Sequence, residues 1–379
     1  MSRMTPRPSI IFLFRNDLRL SDNLAILEAS KKSGGKVIPL YVFDSKQIGV
    51  TARSRQLGIL KSSPLKTKFL LESIQDLKQQ CINLNSDLVV RKGNTAEIIK
   101  NLANELSIEH VYTSRETCSE ELTVDKQIVS SSSSSSISDT GTGTGTGLKL
   151  KTLWTSTLYH IDDLPFDNLK TNFPLIYTQF RKSVEDEKNF RNGCIVRPLY
   201  ELPRLQPLPS TVVPGDIPSL AELCGDEATS TSTSTVTDER SVLQFHGGST
   251  SGKERINDYI FNYNLLQNYK ITRNGMIGSD YSSKLSPWLA LGCISPKEIY
   301  YEVKRYEIER IANDSTYWLI FELLWRDFFK FLPIRVGTSL FRLEGPRNVV
   351  KRWYVIKIYV LCLMSACLHV CISASKNFM

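Results

Sequence analysis

Short runs of apolar residues alternate with amphipathic segments over roughly the first 160 positions of the chain. The apolar runs of strand length are Ile10–Phe14, Val37–Phe43, Leu88–Arg91, His110–Thr113 and Leu148–Trp154. The segments between them that carry apolar residues at helical spacing are Asn23–Lys32, Lys66–Ile82 and Thr95–Leu106. Strands that are apolar on both faces and alternate with helices are typical of a covered parallel sheet. Residues 8–160 are therefore predicted to form a doubly wound α/β domain.

The hydrophobic pattern becomes helical after Gly252. Arg255–Asn268 carries apolar residues at helical spacing, and Thr316–Leu332 is a long, mostly apolar stretch. Between them, Ser295-Pro-Lys-Glu298 has the composition of a helix start, with Ser as the N-cap, Pro at the first helical position and Glu at the third. Residues 251–353 are therefore predicted to form an all-α domain.

Low-complexity and Pro-rich segments lie between these two parts. Residues 130–147 are a Ser tract followed by a Gly-Thr repeat, and residues 229–235 alternate Thr and Ser. Neither tract can bury apolar surface, so we expect both to be surface insertions. The Pro-rich segment 161–250 shows little periodicity and is predicted to be a mostly irregular connector that wraps around the first domain.

Composition narrows the class of protein. The chain has 379 residues, of which 41% are hydrophobic, so whole-chain disorder and collagen-like structure are excluded. Its eight cysteines include no C-x-x-C pair, which argues against a disulfide scaffold and a zinc site and favours a reducing compartment. The net charge of +8 divides into two basic ends, 1–129 and 251–353, around an acidic middle. A basic second end suits a polyanion, although an ordinary solvated surface explains it equally well.

The segment after the first predicted strand lacks the common nucleotide-binding motifs. It contains Arg15-Asn-Asp-Leu-Arg19 in place of G-x-G-x-x-G or a P-loop. It also has no His for the His-x-Gly-His motif of nucleotidyl-transferring enzymes. A dinucleotide-binding fold of the usual type and a nucleotidyl transferase are therefore disfavoured.

Three hydroxyls and one ammonium group cluster just before Pro287. They belong to Ser282, Ser283, Lys284 and Ser286. Hydroxyls, a Lys and a helix N-terminus together suit a phosphate, but a Ser-rich helix cap has the same composition. The spacing leaves both interpretations open.

The apolar stretch Thr316–Leu332 carries charged residues among its aromatic ones. Glu322 and Arg326 are four positions apart, so they share a helix face and can pair with each other. The aromatic residues of this stretch are Trp318, Phe321, Trp325, Phe328 and Phe329. They suit either a packed core or the walls of a cavity for a planar ligand.

Several longer motifs resemble the cryptochrome/photolyase family. They are Phe14–Asn23, Thr272–Met276, Asp280–Ala290, Gly292–Pro296 and Phe321–Phe329. Four segments resemble the DASH-type cryptochromes in particular, namely Thr272–Met276, Gly292–Pro296, Tyr177–Ser183 and Glu116–Glu121. The resemblance extends from about Pro8 to Trp353. It implies an α/β antenna domain followed by an all-α flavin-binding domain.

The resemblance also implies roles for individual residues. The positions that match FAD contacts are Tyr269, Ser282, Ser283, Lys284, Leu285, Ser286, Leu319 and Arg326. Leu319 replaces an aromatic flavin contact of some members. The positions that match contacts to a flipped pyrimidine dimer or to DNA are Glu322, Trp325, Arg273 and Phe329. Glu120 resembles the residue that binds a 5,10-methenyltetrahydrofolate antenna, with Glu116 as the second candidate.

The implied activity is that of a flavin-dependent blue-light photoreceptor and photolyase. Such enzymes repair cyclobutane pyrimidine dimers by light-driven electron transfer from FAD, and DASH members favour single-stranded DNA, where unpairing the lesion costs least. The alternative hypothesis is a non-enzymatic blue-light receptor or nucleic-acid-binding regulator on the same fold, since Glu322 and Trp325 fit both. The family suggests a chloroplast or mitochondrion, but Met1–Ser9 is too short for a transit peptide.

The last residues depart from the family pattern. Trp353 resembles the distal Trp of the family's electron-transfer chain, whereas residues 354–379 resemble nothing in it. The tail suits a truncated product, a membrane anchor over residues 358–375, or a helix that substitutes for missing ones. Truncation is the favoured interpretation. It makes the flavin-binding domain incomplete, so we expect the chain as it stands to hold FAD poorly and to be inactive in repair.

Overall fold

The structure is a computed structural model that describes residues 7–53, 58–130, 147–225, 243–275, 278–342 and 344–346. The predictions for Trp353, for the tail 354–379, for most of the tract 130–147 and for all of the tract 229–235 lie outside these residues.

A five-stranded parallel sheet forms the centre of the N-terminal part. Its strands are β1 Ile10–Phe14, β2 Val37–Asp44, β3 Val89–Gly93, β4 His110–Ser114 and β5 Lys149–Leu153. The strand order is β3-β2-β1-β4-β5, and β1 pairs with both β2 and β4. The chain therefore reverses its winding between β1 and β4. The prediction of a doubly wound α/β domain with these five strands is confirmed.

Four helices cover this sheet. They are α1 Leu24–Ser33, α2 Pro64–Asn83, α3 Thr95–Glu105 and α4 Ser119–Ser130. The first three begin at residues whose side chains accept hydrogen bonds from helical amides, namely Asn23, Ser63 and Asn94. The pattern predicted these three helices but missed α4, because Ile128 is the only buried residue of that helix.

The two faces of the sheet bury separate apolar cores. Alternate residues of β1 point to opposite faces, so Phe12 and Phe14 enter one core while Ile11 and Leu13 enter the other. The first core continues into the helical part of the chain, where it includes Phe331. The domain boundaries drawn from the sequence stay a prediction, because this core extends across them.

The connector contains more helix than its composition predicts. Its helical segments are the 3-10 turn Ile161–Asp163, α5 Leu169–Asn172, α6 Tyr177–Glu185, α7 Glu187–Arg191 and α8 Leu220–Cys224. Helix α6 buries Tyr177, Phe180 and Val184 along one face. The irregular segment near 214 lies along the edge of the sheet, where the amide of Val90 donates to the carbonyl of Pro214 at 2.7 Å.

The C-terminal part of the described chain is helical, as predicted. Its α-helices are α9 Ser249–Asn257, α10 Tyr269–Thr272, α11 Ser286–Ala290, α12 Pro296–Glu309 and α13 Asp314–Val336, and the 3-10 turn Gly337–Phe341 follows α13. The predicted capping box at the start of α12 is present. Within the described ranges, no helix is long and apolar enough to cross a membrane.

The predicted helix Arg255–Asn268 is wrong as a single element. Helix α9 ends at Asn257 and is followed by a π-turn, Asp258–Asn262, and a 3-10 turn, Leu266–Asn268. The helical conformation is interrupted between them at Asn264, whose φ of 55° is left-handed. The Asn264 side chain accepts hydrogen bonds from Tyr306 at 2.6 Å and Arg310 at 2.9 Å, which hold this break in place.

Buried polar contacts join the loop after β1 to the start of α12. The Arg19 guanidinium, 1% exposed, donates to the carbonyls of Gly292 at 3.0 Å and Thr155 at 2.8 Å. Asp22 pairs with Lys297 at 2.6 Å. These contacts fix the helical part against the carboxyl edge of the sheet.

Candidate functional site

The first candidate site is the crevice between β1 and β4, at the carboxyl ends of the strands. Ligands of open α/β sheets bind at such a reversal of winding. Asn16 follows β1 and donates to the Glu116 carboxylate at 3.4 Å, while Glu116 follows β4 and is 6% exposed. The Lys330 ammonium, from α13, also binds Glu116. The two parts of the chain therefore meet through one carboxylate in this crevice.

The crevice holds several carboxyl groups whose pKa values are shifted in different directions. Burial opposes ionisation of Glu116, but Lys330 and Arg15 together hold the pKa of its carboxyl below the usual value. Burial and the charge on Glu116 raise the pKa of Glu121, and one of its oxygens is buried without a hydrogen-bond partner in the described structure. Burial also raises the pKa of Asp125, which pairs with Arg15 at 2.8 Å. Glu116 is thus an ionised acceptor at the crevice.

Glu120, the favoured antenna residue of the sequence, lies elsewhere. Its side chain is 58% exposed and pairs with Lys61 at 2.7 Å. Glu116, the second candidate, is the acidic residue that bonds to Asn16 in the crevice. The choice between the two residues stays a prediction.

The second candidate site begins at the segment from Ser279 to Ser286. Arg255, from α9, donates to the carbonyls of Ser283 and Ser279 at 3.0 Å and of Ser282 at 3.3 Å. Burial, followed by the charge of Arg255, lowers the pKa of Lys284, whose φ of 54° is left-handed. Arg255 thus fixes the backbone of this segment through three carbonyl groups. The sequence analysis did not indicate this role of Arg255.

Two buried polar atoms, one in α10 and one in α13, have no hydrogen bond of normal geometry in the described structure. They are the Tyr269 hydroxyl and the indole nitrogen of Trp318. A buried polar group without a partner costs about 1–3 kcal/mol, so such groups usually face a ligand or water. Together with the hydroxyls and ammonium of residues 282–286, these donors fit an anionic, hydrogen-bonding cofactor such as FAD.

The remaining predicted FAD contacts lie deeper. Leu285 is 2% exposed and Leu319 is 3% exposed, and both pack in the first core. Arg326 donates to the carbonyls of Ser156 and Leu289, so its guanidinium holds the loop at Ser156 and helix α11 against α13. These three residues therefore pack beneath the polar groups of the site and support them.

Arg273 and Glu322 face each other across α10 and α13. They form an ion pair, and each side chain is 6% exposed. Burial raises the pKa of Glu322 to about 7, although Arg273 acts against this shift. The Arg273 guanidinium also lies 5.6 Å from the ring centre of Trp318. Glu322 thus pairs with Arg273, whereas its spacing along the helix suggested Arg326.

Trp325 lies in an aromatic stack. The Tyr177 ring is 3.6 Å from the Trp325 ring, centre to centre, at an angle of 11°. The Phe329 ring, 40% exposed, lies 5.7 Å away at 21°. Of the other aromatic residues in α13, Phe328 is buried and Phe321 is half-buried. Some of these rings therefore pack in the core and others remain accessible, and the cavity for a planar ligand stays a prediction.

Asp327 anchors the site and was missed by the sequence analysis. Its carboxylate is fully buried and accepts the amides of Leu158 and Tyr159, each at 3.0 Å. Burial raises its pKa to about 7 against the effect of these amides.

Lys330 was missed as well, because its partner Glu116 is 214 positions away in the sequence. Among the described residues, no cluster of His, Cys, Asp and Glu could hold a metal ion.

Comparison with known proteins identifies the family. Residues 10–204 match the DNA photolyase family. The chain is similar to Cryptochrome DASH of Gloeobacter violaceus, with 43% identity over 345 residues that make up 91% of this chain and 63% of that protein. It is also similar to Cryptochrome DASH, chloroplastic/mitochondrial, of Arabidopsis thaliana, with 42% identity over 90% of this chain and 55% of that protein. The chain thus spans less than two thirds of the length of these relatives.

A solved structure has the same architecture. The cryptochrome of Synechocystis sp. superimposes with a TM-score of 0.79 and 37% identity, covering 95% of this chain and 68% of that one. The sequence motifs, the strand order and these similarities agree. The chain therefore belongs to the photolyase and cryptochrome family, and within it to the DASH-type cryptochromes.

Proposed function

We propose that this chain is the light-dependent, DNA-binding core of a DASH-type cryptochrome that repairs cyclobutane pyrimidine dimers in single-stranded DNA. The observation that carries the proposal is the grouping of Arg273, Glu322 and Trp325 beside the unpartnered donors of Tyr269 and Trp318. A base-edge acceptor, a flat stacking surface and a cation then lie next to a cofactor-binding segment.

The proposed FAD contacts fall on one side of the cofactor. Tyr269, Ser282, Ser283, Lys284 and Ser286 supply hydroxyl and ammonium groups that suit its diphosphate, while Leu285, Leu319 and Arg326 support them from behind. When bound, FAD supplies the electron that opens the dimer and takes it back afterwards. Because these residues contact mainly the diphosphate side, we propose that FAD is held weakly and must be added in excess.

The proposed DNA contacts are of three kinds, to a base edge, to base faces and to a phosphate. Glu322 accepts hydrogen bonds from a base edge, Trp325 and the exposed ring of Phe329 stack on unpaired bases, and Arg273 meets a phosphate. Single-stranded DNA suits this arrangement because the lesion does not have to be unpaired first.

The proposed antenna site is the crevice at Glu116. An ionised carboxylate that also contacts Asn16 suits the N–H groups of a pterin, so 5,10-methenyltetrahydrofolate is the proposed ligand. Glu120 is the outer alternative, since its side chain is exposed and paired with Lys61.

The decisive experiment is a repair assay with this chain, excess reduced FAD and a single-stranded oligonucleotide that carries one thymine dimer. Without added FAD we expect no repair, because the chain is proposed to hold FAD weakly. With excess reduced FAD we expect slow light-dependent loss of the dimer in the wild type, and at least a tenfold slower loss in Glu322→Gln and Trp325→Ala. Lys149→Met, on the outer strand β5, is the control and should repair at the wild-type rate. Flavin binding without any repair would reject the enzymatic proposal and favour a light receptor or nucleic-acid-binding regulator.

A further inference from the structure

Tyr177 holds one face of Trp325 and is itself fixed on all sides. Its ring stacks on the Trp325 indole at 3.6 Å and is 5% exposed. It also meets Phe321 and Phe328 edge-on, at 5.3 Å and 5.9 Å between ring centres. Nearly parallel rings at this distance attract each other beyond the burial of their surfaces.

The Tyr177 hydroxyl adds a polar anchor to this stack. It donates to the carbonyl of Phe321 at 3.0 Å. In a regular α-helix, that carbonyl also accepts the amide four residues later, which here belongs to Trp325. Burial raises the pKa of Tyr177, so the hydroxyl keeps its proton and remains a donor. The ring and the hydroxyl of Tyr177 therefore both contact the same turn of α13.

Helix α6 keeps Tyr177 in this position. Phe180, one turn later, is fully buried in the first core. Arg181 donates to the Tyr317 hydroxyl at 3.0 Å and pairs with Glu185 at 2.7 Å, and Tyr317 in turn donates to Glu185 at 2.7 Å. These contacts bind α6 to α13, so the Tyr177 ring has little freedom to leave the indole.

We propose that Tyr177 is a positioning residue that fixes the plane of the Trp325 indole before nucleic acid binds, and so determines the preference for damaged over undamaged single strands. This inference rests on the proposed function for its nucleic-acid part. A stacking side chain that is already immobilised loses less conformational entropy when a base binds, so the stacking energy appears in the affinity.

The first test measures Trp325 without any DNA. The protein is labelled with 5-fluorotryptophan, and the fluorine resonance of Trp325 is assigned with Trp325→Phe. We expect Tyr177→Leu to shift and broaden that resonance alone, while Tyr177→Phe, which keeps the stack, leaves it near its wild-type position. An unchanged Trp325 resonance in Tyr177→Leu would overturn the inference even if the chain bound no DNA.

The second test measures the ratio of affinities for a single-stranded oligonucleotide with one thymine dimer and for the same strand without it. We expect Tyr177→Leu to reduce this ratio about three- to tenfold, the range of one aromatic pair, with undamaged binding changed less than about twofold. Tyr177→Phe should retain the ratio. Tyr300→Leu, whose ring packs on Tyr301 in α12, is the control for general loss of stability.

The two tests separate the possible failures. A wild-type chain that does not prefer the dimer rejects the proposed function, and the fluorine spectra alone then decide the role of Tyr177. A wild-type preference that survives in Tyr177→Leu, or that Tyr300→Leu reduces equally, overturns the role of Tyr177 in discrimination and leaves the proposed function intact.

Discussion

Arg273 and Glu322 form an ion pair in which each side chain is only 6% exposed. The pair joins the residue that follows α10 to the middle of α13, one turn before Trp325. A buried pair of this kind is held by its geometry, because the cost of removing both charges from water offsets much of their attraction. Nucleic acid that binds either residue must therefore replace a partner that is already present.

The first prediction concerns the pH dependence of stability. Burial raises the pKa of Glu322 from 4.5 to about 7, so folding favours its protonated form. This contribution is complete below the unfolded pKa and is lost as the pH rises through 7. Relative to Glu322→Gln, the wild type should lose on the order of 3 kcal/mol of unfolding free energy between pH 4 and pH 8. Urea unfolding at several pH values measures the difference, and parallel profiles for the two proteins would contradict it.

The second prediction concerns Asp327. Asp327→Ala removes the acceptor of two amides, those of Leu158 and Tyr159, and should lower the unfolding free energy by about 3 kcal/mol. Hydrogen exchange at these two amides should rise more than at amides of the connector. Asp314→Ala is the matched control, because Asp314 is exposed at the start of the same helix and should leave the melting temperature nearly unchanged. Equal effects of both substitutions would argue against the anchor.

The third prediction concerns Gly292. Its φ of 65° is left-handed, and a Cβ atom there would lie 2.6 Å from the Cα of Asp17. Gly292→Ala therefore adds a backbone clash to the conformational penalty and should cost about 3 kcal/mol or more. Gly34 has the same φ of 65° with a ψ of 37°, and a Cβ atom there would meet only the flexible side chain of Arg7, so Gly34→Ala should cost only about 1 kcal/mol. Thermal unfolding of the two variants separates the clash from the backbone penalty.

The fourth prediction distinguishes the two candidate antenna residues. Glu116→Gln removes the ionised acceptor of the crevice and should weaken binding of 5,10-methenyltetrahydrofolate at least about tenfold. Glu120→Gln should leave the affinity within about twofold, because its side chain is exposed and paired with Lys61. Folate absorbance retained after gel filtration measures both. The reverse order of effects would return the antenna site to Glu120.

The sequence was sufficient where local pattern determines structure. Strands β1 and β2 follow from continuous apolar runs, because a strand buried on both faces needs such a run whatever its neighbours are. The start of α12 follows from its capping box, whose contacts lie within four residues. Helix α4 was missed because it buries almost nothing and so carries no amphipathic signal.

The sequence was insufficient where a distant residue decides the outcome. The break at Asn264 depends on Tyr306 and Arg310, which lie in or next to another helix. Glu322 pairs with Arg273, 49 positions away, whereas its spacing pointed to Arg326. Motif resemblance named both Arg273 and Glu322, but it carried no sign that they contact each other.

Helix α13 connects the two candidate sites as a rigid spacer. Glu322 lies near the middle of the helix and Lys330 binds Glu116 in the crevice, so eight residues of one helix, about 12 Å of rise, separate these two positions. Pro333 leaves the carbonyl of Phe329 without its helical amide, so a kink there would fall at the far end of this interval. Substitutions in the connector are therefore expected to move both positions together rather than to change the distance between them.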